Sequence, residues 1–103
     1  MITAVLVGLA VLMALAQPAC ADYTRTMKLL QKFGQDCDNG CNYKILVQSY
    51  ETGNQFFVWY YNSLELEVGQ DVVITFNRWD EWIKISNLVN GKESGIYKVV
   101  KVE

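Results

Sequence analysis

Apolar and polar residues alternate with a period of two along most of the chain beyond residue 42, which predicts a series of short β-strands. The stretch from Gln55 to Asn62 is the richest in aromatic and β-branched residues, which favour strands. Turn-forming residues separate the stretches, so we expect antiparallel pairing. The predicted strands are residues 43–50, 55–62, 64–68, 72–77, 82–89 and 96–102.

The turns between these strands differ in strength. Asn90-Gly91 is the strongest hairpin signal, and Glu51-Thr52-Gly53-Asn54 predicts another hairpin connection. Ser94-Gly95 predicts a bulge. In the strand that begins at Trp82, alternation places Ile83 and Ile85 on one face and Trp82 on the other.

Residues 23–34 follow a different spacing. Tyr23, Met27, Leu30 and Phe33 recur every three or four residues, which predicts a short amphipathic helix that ends near Gly34. A helix of three turns is not stable alone in water, so we expect it to pack against the strands.

Together these elements predict a mainly β fold, a small antiparallel barrel of five to six strands with one short N-terminal helix. The segment Leu66-Glu67-Val68-Gly69-Gln70-Asp71-Val72 resembles the strand entry of OB-fold and SH3-like barrels. The resemblance covers about a third of the chain and implies a barrel without implying an activity. It leaves the choice between OB-like and SH3-like strand orders open.

The N-terminal segment has the pattern of a cleavable signal peptide. An uncharged apolar run from Ile2 to Ala16 precedes Pro18 and Ala19-Cys20-Ala21, so cleavage is expected after Ala21. We therefore predict a signal peptide at residues 1–21, a single domain at residues 22–103, and a periplasmic or secreted protein. A lipid anchor on Cys20 is disfavoured by Gln17, and an uncleaved membrane anchor by the shortness of the run.

Charge and composition exclude several classes of function. Nine basic and eleven acidic residues give a net charge of −2, with no electrostatic footprint for nucleic acid or an anionic membrane. The chain contains no histidine and no glycine-rich phosphate loop, which removes histidine-based catalysis and phosphate-cradle chemistry. We therefore expect no enzymatic activity and no cofactor.

Cleavage after Ala21 would remove Cys20 and leave Cys37 and Cys41 as a pair. In an exported protein this pair predicts a structural disulfide across the turn-forming residues between them. A redox role is disfavoured because a redox pair is usually spaced Cys-x-x-Cys. No metal site is expected, since zinc lacks further ligands and the Asp36-x-Asp38 pattern does not continue as a calcium loop.

The aromatic residues are the strongest indication of a binding surface. The strand at Phe56 to Tyr61 carries large side chains on both faces, so one face must either lie under the predicted helix or remain exposed to a partner. The tryptophans near residue 80 either close one end of the barrel or form an interaction site with nearby cations. The candidate binding residues are Tyr60, Tyr61, Arg78, Trp79, Trp82 and Lys84.

These observations favour a binding module that recognises a protein, a peptide or a glycan through exposed aromatic residues. A structural or accessory subunit of an envelope assembly is the first alternative. A thiol–disulfide protein that uses Cys37 and Cys41 is less favoured. Binding of single-stranded nucleic acid fits the aromatic residues, but it does not fit the acidic balance and the export signal.

Overall fold

The computed structural model describes residues 22–37 and 40–103, and this part of the chain is a closed barrel of six antiparallel strands. The prediction of a small antiparallel barrel is confirmed. The strands are β1 (Tyr23–Asp36), β2 (Asn42–Ser49), β3 (Gln55–Tyr60), β4 (Asp71–Phe76), β5 (Trp82–Asn87) and β6 (Glu93–Lys101).

The order of strands around the barrel is β1-β2-β3-β6-β5-β4, and β4 returns to β1. Two three-stranded meanders are therefore joined along two seams, β1 with β4 and β3 with β6. The core lies inside this barrel. It consists of Met27, Leu29, Ile45, Val47, Val58, Tyr60, Leu64, Leu66, Val72, Ile74, Phe76 and Ile85.

The predicted helix over residues 23–34 is wrong, because these residues belong to β1. Met27 and Leu29 point inward at the strand period, but the pairing with β2 shifts after Leu29 and again between Lys32 and Gln35. Each bulge adds one residue to β1, so apolar residues recur after three positions and resemble a helical repeat. The second bulge contains Gly34 at a φ of 80°, a conformation that glycine adopts readily.

The predicted strand at residues 64–68 is also wrong, since residues 61–70 form a loop that covers one end of the barrel. The predicted alternation of buried leucines and exposed glutamates in this segment is nevertheless correct. Leu64 and Leu66 are each 1% exposed, whereas Glu65 and Glu67 face solvent. The loop therefore works as a plug that extends the core beyond the strands.

Asn87 holds this plug in place. Its side chain is 2% exposed, and its Nδ2 donates to the Leu64 carbonyl at 2.8 Å. Its Oδ1 accepts from the Gln70 Nε2 at 2.8 Å and from the Val89 backbone N–H at 2.9 Å. A buried amide that satisfies backbone and side-chain groups on both sides fixes the position of the loop.

Aromatic rings fill the opposite end of the barrel. Trp82 lies 4.8 Å from Phe56 and 5.0 Å from Phe76 between ring centroids, and Tyr23 stacks on Phe76 at 5.1 Å. The prediction that Trp82 lies opposite Ile85 is wrong. Phe76 pairs with Trp82 and Thr75 with Lys84, so Ile83 is an extra bulge residue that turns Trp82 toward the core.

The start of β6 holds the first residues of the 61–70 loop. Ser94 is buried, and its hydroxyl accepts from the backbone N–H groups of Tyr61 and Asn62 at 3.0 and 2.9 Å. The irregularity predicted at Ser94-Gly95 lies slightly later, because the pairing with β3 shifts at Tyr97. The hairpin turns are as predicted, with Gly53 and Gly91 at positive φ.

Cys37 and Cys41 form the predicted disulfide, which closes the connection between β1 and β2. Such a small ring contributes about 2 kcal/mol in the chain-entropy description. The predicted signal peptide, with Cys20, lies outside the described residues.

We predict that Asn87→Ala lowers the free energy of unfolding by about 2–3 kcal/mol, because the Leu64 carbonyl and the Val89 N–H lose buried partners. Urea denaturation measures this loss, and hydrogen exchange of residues 61–70 should rise in the same variant. The matched control is Asn62→Ala at an exposed position, which should change stability by less than about 0.5 kcal/mol. Equal stability of the two variants would show that the amide does not hold the loop.

Candidate binding surface

The outward face of β3 is the principal candidate, because no helix covers it among the described residues. Phe57 and Trp59 point outward between the inward-facing Phe56, Val58 and Tyr60. Both outward rings are half-buried by their neighbours in the sheet. The explanation that the predicted helix packs against this face therefore no longer applies.

Strand register assembles the neighbours of these two rings into two rows. Trp59 pairs with Lys44 on β2 and with Lys98 on β6. Phe57 pairs with Leu46 and Val100 on the same two strands. One row therefore has a tryptophan between two lysines, and the next row is entirely apolar.

Phe33 extends this surface from β1. Its ring lies 5.7 Å from the ring of Phe57, and its side chain is 41% exposed. The position of Phe33 follows from the second bulge of β1, which adds one residue between Lys32 and Gln35 and turns the strand there. We refer to Phe33, Lys44, Leu46, Phe57, Trp59, Lys98 and Val100 as the aromatic–lysine face.

The lysine ammonium groups rest on the aromatic rings. The Lys44 Nζ lies 4.8 Å from the ring centroid of Phe33, 4.5 Å from that of Phe57 and 5.1 Å from that of Trp59. The Lys98 Nζ lies 5.0 Å from the Trp59 centroid. Such cation–π contacts hold flexible lysine side chains at defined positions.

Positive charge on this face is not neutralised by the described carboxylates. The three ion pairs in the described part of the chain join Arg25 with Glu51, Lys84 with Glu93, and Lys92 with Glu65. None of them includes Lys44 or Lys98. The face is therefore locally cationic although the whole chain carries a net charge of −2.

Two of the sequence-predicted residues follow one another at the end of β3. Tyr60 is 4% exposed and stacks on Tyr43 at 5.5 Å, so it belongs to the core and not to a surface. Tyr61 is 50% exposed, meets Tyr97 edge-on at 5.8 Å, and lies over Gly95.

The remaining predicted residues lie around β5. Trp79 is 66% exposed in the β4–β5 turn, and the Arg78 guanidinium lies 4.3 Å from its ring centroid. Trp82 fills the end of the barrel, as in the alternative explanation of the tryptophans. Lys84 pairs with Glu93 at 3.1 Å.

The β4–β5 turn that carries Trp79 is well ordered by hydrogen bonds. The Asn77 Oδ1 accepts from the backbone N–H groups of Trp79 and Glu81 at 2.9 and 3.0 Å. Asp80 has a φ of 65° and accepts from the Tyr23 hydroxyl at 2.6 Å, which raises the pKa of Tyr23 above its ordinary value. Trp79 is thus a second exposed aromatic residue, in a turn separate from the aromatic–lysine face.

Sequence reasoning missed most of the aromatic–lysine face. Period-two alternation already places Phe57 and Trp59 on one face of β3, and this signal could have selected them over Tyr60. The lysines come from other strands, so only the register identifies them as neighbours of Trp59.

No group of three or more potential metal ligands occurs among the described residues. The aromatic–lysine face offers cations, ring edges and apolar side chains, but no carboxylate or thiol.

Among residues 22–37 and 40–103, no helix is long and apolar enough to cross a bilayer.

Comparison with known proteins adds no assignment. No protein-family model matches the chain, and neither a curated protein nor a solved structure matches it.

Burial raises the pKa of Tyr60 to about 12, with a smaller contribution from Tyr43. The folded state therefore holds this proton more tightly than the unfolded chain, whose tyrosines titrate near pH 10. The stabilisation is complete below about pH 10 and is lost as the pH rises toward 12. In the wild-type protein the free energy of unfolding should therefore fall by roughly 2–3 kcal/mol across this range. We predict that this fall is absent in Tyr60→Phe.

Urea denaturation at a series of alkaline pH values tests this prediction, and tyrosinate absorbance reports the titration. The control is Tyr61→Phe, whose ring lies on the surface and whose substitution should leave the alkaline loss in place. An unchanged alkaline profile in Tyr60→Phe would contradict the assignment.

Proposed function

We propose that this protein is a binding module that recognises a protein, a peptide or a glycan through its exposed aromatic residues. The observation that carries the proposal is the outward row Lys44–Trp59–Lys98 beside the apolar row Leu46–Phe57–Val100. Large aromatic residues with flanking cations are typical of the centres of binding interfaces.

The apolar part of this face is partly exposed to solvent. Phe33 and Val100 are both 41% exposed, and they border the half-buried rings of Phe57 and Trp59. A contiguous apolar patch of this kind on a small domain is a typical mark of an interaction site. The proposed setting is the periplasm or the extracellular space, in line with the predicted signal peptide at residues 1–21.

An accessory subunit of an envelope assembly is a second candidate, favoured by the apolar row that contains Phe57. It requires a stable complex, either with further copies of the chain or with another subunit. Sedimentation of the purified protein at micromolar concentration tests the first of these two arrangements, because a free monomer excludes self-assembly.

We predict that Trp59→Ala weakens partner binding at least tenfold, because a tryptophan at the centre of an interface commonly contributes 2 kcal/mol or more. The partner is captured from extracts with the immobilised wild-type protein and identified, and the affinity is then measured by calorimetry with purified partner. The fold of each variant is checked by circular dichroism.

The matched control is Trp79→Ala, which removes an equally large and more exposed ring from the β4–β5 turn. This variant should bind the partner with wild-type affinity. Loss of binding only in Trp79→Ala would move the binding surface to that turn. Full binding by both folded variants would exclude recognition through either tryptophan.

A further inference from the structure

We propose that the aromatic–lysine face takes an extended acidic segment of a partner protein, with a carboxylate between Lys44 and Lys98 and an apolar side chain against Phe57. This inference rests on the proposed binding function and specifies the chemistry of the partner. It follows from the spacing of the two rows, the uncompensated charge and the way in which the lysines cover Trp59.

The first row defines where a carboxylate would sit. Lys44 and Lys98 approach Trp59 from the two neighbouring strands, and each ammonium lies about 5 Å from the ring centroid. The two ammonium groups are therefore no more than about 10 Å apart. A carboxylate placed between them can accept hydrogen bonds from one or both, and charge-assisted bonds of this type are the stronger ones.

The second row sets the distance to an apolar contact. Phe57 and Trp59 are two residues apart on β3, so the rows are separated by about 6.7 Å. An extended peptide has the same repeat, since its side chains at positions i and i+2 lie on one face with the same spacing. A segment that runs along β3 with an acidic residue at i and an apolar residue at i+2 thus matches both rows.

Charge complementarity selects an acidic partner. The outward positions paired across β2, β3 and β6 carry Lys44 and Lys98 but no acidic residue. The aromatic contacts also keep the Lys44 ammonium in place before binding, so less side-chain freedom is lost when an anion arrives.

Two other occupants fit less well. A sugar that stacks on Trp59 has to displace a lysine, because both ammonium groups lie over this ring. Insertion into an anionic membrane requires protruding apolar side chains, whereas Leu46, Phe57 and Trp59 are half-buried in the sheet. Both occupants are included as outcomes of the experiment.

The test uses the purified protein and three capped peptides, with polyglucuronate and vesicles that contain phosphatidylserine as the probes for the two other occupants. The first alternates threonine with glutamate and leucine, so that glutamate and leucine are two residues apart. The second replaces glutamate with glutamine, and the third places glutamate and leucine side by side. Amide chemical shifts are followed by NMR during titration at low and at high salt.

We expect the first peptide to shift the amides of Lys44, Phe57, Trp59 and Lys98, with an affinity that decreases at high salt. The glutamine peptide and the adjacent-residue peptide should each bind at least tenfold more weakly. The double variant Lys44→Gln/Lys98→Gln should lose the binding of the first peptide. The control Lys28→Gln/Lys101→Gln makes the same change in net charge at exposed sites and should retain it.

Equal binding of the glutamate and glutamine peptides overturns the role of the carboxylate, and equal binding of the first and third peptides overturns the spacing. The inference is also overturned if only polyglucuronate, or only vesicles that contain phosphatidylserine, bind in a manner that depends on Lys44 and Lys98. If no probe binds but the captured partner still requires Trp59, this inference fails and the proposed function stands. If the partner does not require Trp59, the proposed function itself fails at this face.

Discussion

The architecture depends on β1 pairing with two neighbours at once. Its first half pairs with β4 and its second half with β2, and residues 27 and 28 pair with both. A long strand that passes from one neighbour to the next around a small barrel has to bend, and the two bulges in the second half of β1 bend it. The bend lets β1 form the seam with β4 while it stays paired with β2, and the second seam, β3 with β6, sets the neighbours of the outward rows on β3.

The two ends of the barrel are closed by different means. Packed aromatic rings fill one end, whereas the loop that carries Leu64 and Leu66 fills the other and is held by the amide of Asn87. An amide at a buried position is stabilising only when all its partners are present, so this end is specified by hydrogen-bond geometry as well as by apolar contact. With both ends closed, Phe57 and Trp59 lie on the outer surface of the barrel, where we propose that a partner binds.

Strand positions, hairpin turns and the closed antiparallel fold follow from period-two alternation and turn chemistry, and most of them could be predicted. Bulges defeat the same reasoning, because each inserted residue changes the apparent period. They made β1 resemble a helix and placed Trp82 on the wrong face. The candidate surface was harder to predict, since Lys44 and Lys98 meet Trp59 through a register that no local pattern reveals.

Closure of the sheet has a consequence for solubility. An open sheet presents unpaired N–H and C=O groups along its outer strands, and these groups can add strands from other chains and lead to aggregation. In this barrel β4 pairs with β1 and β3 with β6, so each strand has two neighbours. Among the described strands, unpaired backbone edges remain where β1 runs beyond β4 and where β6 runs beyond β5. The two seams that close the barrel therefore shorten the backbone template on which other chains could assemble.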